Sequence, residues 1–85
     1  MAYWMYILQS ESSGQYYVGH TNNLQDRLRR HNASRTLANK GRGPWRLVHS
    51  EEFTTRPAAA ARERVIKAQK SRQYIESLCL MKSVG

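Results

Sequence analysis

Five side chains in this sequence of 85 residues could do chemistry together if folding gathered them: Tyr6, Tyr17, Arg27, His31 and Glu63. Several common site chemistries have no support. One cysteine, Cys79, and three scattered histidines, His20, His31 and His49, lack zinc-ligand spacing. The only aspartate is Asp26, so a Ser/His/Asp triad has no frame. Glu51 and Glu52 are adjacent beside a strand end, which does not suit a glycosidase acid pair, and no glycine-rich phosphate loop precedes a helix. Two tyrosines, an arginine, histidines and an acid on a basic chain remain. That inventory suits attack on a phosphodiester. An arginine can neutralise the pentacoordinate phosphate, a carboxylate can hold a divalent metal, and a tyrosine or histidine can handle the proton.

The charge supports a polyanionic partner. Lys and Arg number 14 against 6 acids, a net charge of +8, and none of the bases precedes Arg27. Arg27, Arg29, Arg30, Arg35, Lys40, Arg42 and Arg46 follow closely, with Asp26 the one acid among them. A localised positive field of this kind attracts and steers nucleic acid. A merely soluble surface would need less charge. No apolar run is long enough to span a membrane, and no basic segment precedes an apolar run as in a secretory signal. With its single cysteine, the chain is expected in the cytoplasm.

The elements that must position these groups follow from pattern. Tyr3-Trp4-Met5-Tyr6-Ile7-Leu8 and Tyr16-Tyr17-Val18-Gly19-His20 flank a polar break containing Gly14, which predicts a hairpin over 3–9 and 15–20. Both of its faces are apolar, so both should be covered. Asn22 or Asn23 caps a helix that carries Leu24, Leu28 and His31 on one stripe, with Arg27 beside His31. Residues 32–44 read as a basic loop. Trp45 to His49 form a third strand that Glu51-Glu52-Phe53 continue or close. Pro57 opens a second helix in which Ala61, Val65 and Ala68 are expected to form the buried stripe, with Glu63 beside it. Ser71 re-caps the chain before a last helix with Tyr74, Ile75, Leu78 and Met81, and 83–85 should fray. The expectation is one domain over 1–85 of α/β (α+β) class: a small three-stranded, mostly antiparallel sheet flanked by helices, in the order β-β-α-β-α-α.

Each candidate has a plainer reading. Tyr6 and Tyr17 could be strand aromatics filling a small core, and Arg27 one more solvated arginine. His31 could partner the helix dipole, and Glu63 could simply pair with Lys67 four residues on.

The order of short motifs resembles the GIY-YIG nucleases, within them the small stand-alone single-domain members. Met5-Tyr6 stands at the end of the Gly-Ile-Tyr element and Tyr17-Val18-Gly19 stands for Tyr-Ile-Gly. Thr21 to Asn32 is similar to the helix T-x-N-L-x-x-R-x-x-x-H-N, Pro44 to Val48 to the third strand, and Ala60 to Lys67 to the helix with the metal-binding acid. The likeness covers about residues 3–78. The sequence departs from the pattern at Trp4, Met5 and Val18, has no asparagine after Asn39, and has Tyr74 where many small members have a lysine.

The resemblance implies a metal-dependent endonuclease acting on DNA, structure-directed, in repair or recombination. Tyr17 or Tyr6 would activate the attacking water, Arg27 would stabilise the phosphate, and His31 would serve proton traffic or orientation. Glu63 would hold one Mg²⁺ or Mn²⁺. Gly19 would let nucleic acid approach closely, and His20 would lie near the scissile phosphate. Arg30, Arg35, Lys40, Arg42 and Lys67 would contact the backbone, which positions a duplex without specifying sequence. RNA offers Arg27 the same phosphodiester, so the residues leave both substrates open. A monomer this small has no recognition module, so specificity calls for a distorted substrate or a partner protein. The alternative is a non-catalytic nucleic-acid-binding module on the same fold.

Overall fold

A computed structural model describes residues 2–33 and 44–82, the side chains of Met81 and Lys82 excepted. The elements are β1 (Tyr3–Ser10), β2 (Tyr16–Thr21), α1 (Leu24–Ala33), β3 (Trp45–Phe53), α2 (Arg56–Gln69) and α3 (Arg72–Lys82). Their order is the expected β-β-α-β-α-α, and the three antiparallel strands lie in the order β2-β1-β3. Of the loop expected at 32–44, Asn32 and Ala33 instead end α1, and residues 34–43, with Arg35, Lys40 and Arg42, lie outside the described residues, as does the frayed end expected at 83–85.

The central strand β1 divides the core. Tyr6 and Leu8 meet Trp45 on one face, where Tyr17, Leu24 and Leu28 join them, so α1 covers this side. Met5, Ile7 and Val18 meet Ile66 of α2 and Leu78 of α3 on the other, with Tyr16, Tyr74 and Ile75 at the margin. The hairpin is thus covered on both faces, and Tyr16 and Tyr17 part to opposite sides.

Local chemistry sets the boundaries. Gly14 takes a positive φ of 76° as its N–H donates to the Ser10 carbonyl at 2.9 Å, closing the hairpin. Asn23, not Asn22, caps α1, its Oδ1 accepting from the Asp26 N–H at 3.0 Å. Thr55 caps α2 by accepting from the Ala58 N–H at 3.3 Å, with Pro57 in the first turn. Lys70 ends α2 in the left-handed region at φ 49°, where a glycine would avoid a cost of about 1–2 kcal/mol. Ser71 then accepts from the Tyr74 N–H at 3.1 Å and starts α3, as expected.

One expectation is corrected. The buried stripe of α2 is Ala59 and Ile66, not Ala61, Val65 and Ala68; Val65 is 46% exposed. Ala59 and Ile66 lie seven residues apart, two helical turns, so Arg62 and Glu63 fall between them on the sheet-facing side. The periodicity of a helix so rich in alanine did not distinguish the two registers.

The third strand is continuous over Trp45–Phe53, with a bulge opposite Ile7 and Leu8. The bulge turns both Val48 and His49 toward the α2 side, where Val48 packs and His49 bonds Glu51. Asn32, at the end of α1, clamps the start of this strand. Its Oδ1 accepts from the Trp45 N–H at 2.7 Å and its Nδ2 donates to the Trp45 carbonyl at 3.0 Å. The side-chain amide thereby does for Trp45 what a neighbouring strand would do. Replacement Asn32→Ala should lower unfolding free energy by about 1–2 kcal/mol in urea titration, the worth of two partly exposed hydrogen bonds.

Candidate active site

The structure brings four of the five candidates onto the α1 face. Tyr6 lies on the central strand, directly across from Gly19 on β2. A Cβ at Gly19 would stand 2.6 Å from the Tyr6 hydroxyl oxygen and 2.8 Å from its Cζ. The absent side chain is therefore the space the tyrosine occupies. Gly19 is buried, and in this structure Tyr6 rather than open solvent fills the room that the sequence reserved for close approach.

Tyr6 is only 1% exposed, and its hydroxyl accepts from Arg27 Nε at 3.0 Å. Burial pushes its phenol up from the ordinary value, and Arg27 only partly opposes this. Tyr6 thus stays protonated at neutral pH, with its own proton free to donate. The Tyr6 and Tyr17 hydroxyls in turn push Arg27 up, so it stays charged. The Tyr17 ring is half-buried, 6.2 Å from Tyr6 between centroids and inclined by 29°. Of the two hydroxyls, that of Tyr17 belongs to the more open residue.

His31 lies behind Tyr17. Its ring is 4.6 Å from Tyr17 and 4.9 Å from Trp45, edge-on to the indole at 83°, and the residue is 7% exposed. Its Nε2 is buried without a hydrogen-bond partner among the described residues. Burial, then the Arg27 charge, lowers its pKa from 6.5. Arg30 points elsewhere, to Asp26 at 2.9 Å, and remains largely exposed.

Glu63 belongs to the other face. Strand alternation sends Gly19 to the α1 side and His20 to the α2 side, where His20 Nδ1 lies 2.7 Å from Glu63 Oε1. Lys67 Nζ donates to Glu63 Oε2 at 2.8 Å, so the plainer pairing exists as well. Burial raises the carboxyl, but Lys67 and His20 outweigh it and hold it below the usual carboxylate range. The Glu63 charge still reaches Tyr6, raising its phenol slightly, across the outer strand β2. The site thus spans the sheet edge, with Tyr6, Tyr17 and Arg27 on one side and Glu63, His20 and Lys67 on the other.

These groups fit a single divalent ion only in part by protein ligands. Among the described residues no three His, Cys, Asp or Glu side chains converge. One ionised carboxylate does suit Mg²⁺, which is commonly held by one or two carboxylates, water and substrate oxygens. Lys67 would have to give up Oε2. The surroundings of Glu63 and the clamp at Asn32 were not legible from spacing alone, although β alternation separates Gly19 from His20 in any hairpin of this register. Among the described residues no helix is long and apolar enough to cross a membrane.

His31 gives a pH prediction. Its pKa is lower folded than unfolded, so the unfolded chain binds the proton first as pH falls below about 6.5. Stability conferred by the neutral ring is complete above that pH and is lost toward the lower folded value. In urea titrations from pH 7.5 to 5, wild type should lose stability more steeply than His31→Phe. Parallel curves would contradict this.

The comparisons agree with the fold and motifs. The model of the GIY-YIG catalytic domain matches residues 2–75. A UPF0213 protein from Haloquadratum walsbyi is 38% identical over 78 residues, covering 87% of this chain and 86% of its own. A UPF0213 protein from Halobacterium salinarum is 39% identical over 75 residues, covering 87% and 95%. The solution NMR structure of a UPF0213 protein from Bacillus halodurans superposes with a TM-score of 0.59 at 31% identity, covering 96% of this chain and 86% of that one. With strand order, helix placement and the family model in agreement, the chain belongs to the GIY-YIG catalytic-domain family, a family of nucleases.

Proposed function

We propose that this protein is a metal-dependent endonuclease that hydrolyses DNA phosphodiester bonds at structural irregularities, in repair or recombination. The observation that carries the reading is the hydrogen bond from Arg27 Nε to the buried Tyr6 hydroxyl, at 3.0 Å. It fixes a guanidinium beside the two tyrosines while leaving the N–H groups that meet neither hydroxyl for a phosphate.

On this reading Arg27 neutralises the charge that builds on the pentacoordinate phosphorus, and Tyr6, kept protonated, donates to a phosphate oxygen. Tyr17, the more open tyrosine, orients and activates the attacking water. His31 is a positioning residue that braces the Tyr17 ring through contact at 4.6 Å. Glu63 holds Mg²⁺ or Mn²⁺, which when bound acidifies water and offsets phosphate charge. Arg30, Arg35, Lys40, Arg42 and Lys67 contact the backbone, His20 lies near the scissile phosphate, and Gly19 serves by seating Tyr6. The protein acts as a monomer in the cytoplasm, and a distorted substrate or a partner protein provides specificity.

The second reading, a binding module without catalysis, draws on Lys67 and His20, which already satisfy both oxygens of Glu63. Cleavage of labelled branched, flapped and plain duplex DNA, with Mg²⁺, Mn²⁺ or EDTA, separates the two. Metal-dependent cutting of irregular DNA is expected, with Tyr17→Phe, Arg27→Ala and Glu63→Ala each lowering the rate by about 10²-fold or more. Metal should also raise the melting temperature of wild type but not of Glu63→Ala. Salt-sensitive binding with neither cutting nor a metal response would leave the binding module.

A further inference from the structure

A groove of about 530 Å³ lies between β2, α2 and α3, on the face opposite Tyr6. The half-buried Tyr16 and Ile75 contribute apolar surface to it over the buried Ile66, and Lys67, Lys70 and Arg72 line it with positive charge. We propose that this groove binds an unpaired nucleic-acid strand and leads it to Glu63. The proposal rests on the nuclease reading and specifies which part of an irregular substrate the protein holds.

Its chemistry favours a single strand over a duplex. A duplex turns its apolar base faces inward and offers phosphates outward, which leaves an apolar floor without a partner. An unpaired strand presents both, flat bases for the floor and phosphates for the cationic rim. The Arg72 guanidinium lies over the Tyr16 ring at 5.0 Å and is held there by Glu76, its Nε 3.0 Å from Oε1. That presents a planar, charged group on which a base can stack.

Lys70 supports the assignment from the backbone. It is the one non-glycine residue with positive φ among those described, at the turn between α2 and α3. Glycine is the usual occupant of such a helix end. The chain instead places an exposed cation at the groove, and the Lys70 side chain has no hydrogen bond or ion pair among the described residues. Lys67 joins the groove to the site, since it lines the one and bonds Glu63 of the other at 2.8 Å. As an outer strand, β2 also has an edge that pairs with no strand among the described residues and offers backbone N–H groups there.

The test is direct binding in EDTA, where cutting is suppressed, by fluorescence anisotropy with a short oligothymidylate and a blunt hairpin duplex. Lys70→Glu and Arg72→Gln, both at exposed positions, are expected to weaken oligothymidylate binding about tenfold and to change duplex binding by less than about twofold. Wild-type amide resonances of Tyr16, Val18 and Ile75 should shift on adding the oligothymidylate, and circular dichroism should show both variants folded. Equal losses for the two DNAs, no loss, or shifts confined to residues around Arg27 would overturn the proposal. So would tighter binding of an acidic peptide than of the oligonucleotide in the same groove. Groove binding by a protein that cuts nothing would sink the nuclease reading alone. Cutting with an unresponsive groove would sink only this proposal.

Discussion

The rest of the site depends on a tyrosine ring lying over a glycine. Tyr6 occupies the middle of the central strand, where a large ring would ordinarily press against its cross-strand neighbour. Gly19 removes that neighbour, and the ring settles into the space a methyl group would have filled. The buried aromatic surface stabilises the fold by about 2–3 kcal/mol, but a buried phenol oxygen must be hydrogen-bonded or that gain is lost. Arg27 supplies the bond from α1, so packing of the helix on the sheet and placement of the guanidinium are one event. A larger residue at 19 would disturb the core, the helix and the placement of Arg27 together.

The second constraint is the two-residue repeat of a strand. Adjacent residues on β2 serve opposite layers, Gly19 beneath Tyr6 and His20 against Glu63. The acid can therefore belong to a helix on the far face and still act near the tyrosines. Of its two partners, Lys67 holds it loosely. The Lys67 side chain is 53% exposed, and ion pairs so open to water contribute at most about 1 kcal/mol. Lys67 and His20 together keep Glu63 ionised, and of the two the Lys67 contact is the easier to break.

The fold was legible because alternation, capping residues and turn signals all agreed. Tyr6, Tyr17, Arg27 and Glu63 were singled out by the order of short motifs that resembles the family, and the structure gathers the first three on one face of the sheet. What spacing could not supply was side-chain partnership across elements. α2 is mostly small and charged, so a stripe one register off looked equally apolar, and Glu63 was placed beside the wrong neighbours. The bulge that turns Val48 and His49 to one side leaves no mark in composition. Asn32 read as a loop residue because nothing local shows that its amide would mimic a strand.

The two outer strands are treated differently, and the difference bears on where a ligand can go. β3 is tied to both layers by side-chain bonds. Asn32 clamps Trp45 from the α1 side, while Arg62 of α2 bonds Glu51 at 2.9 Å, Glu51 bonds His49 at 2.8 Å, and Arg62 reaches the Tyr74 hydroxyl at 3.4 Å. Burial raises the Glu51 carboxyl, but Arg62 and His49 outweigh it and hold it ionised. That network ties sheet, α2 and α3 together with its charges mutually satisfied. The edge at β2 has the contrary character: half-open tyrosines, an acid in weak pairs, and a cationic groove beside it. On that edge Gly19 is closed over by Tyr6, whereas its neighbour His20 meets Glu63 on the other layer, so one strand ties the tyrosine layer to the acid.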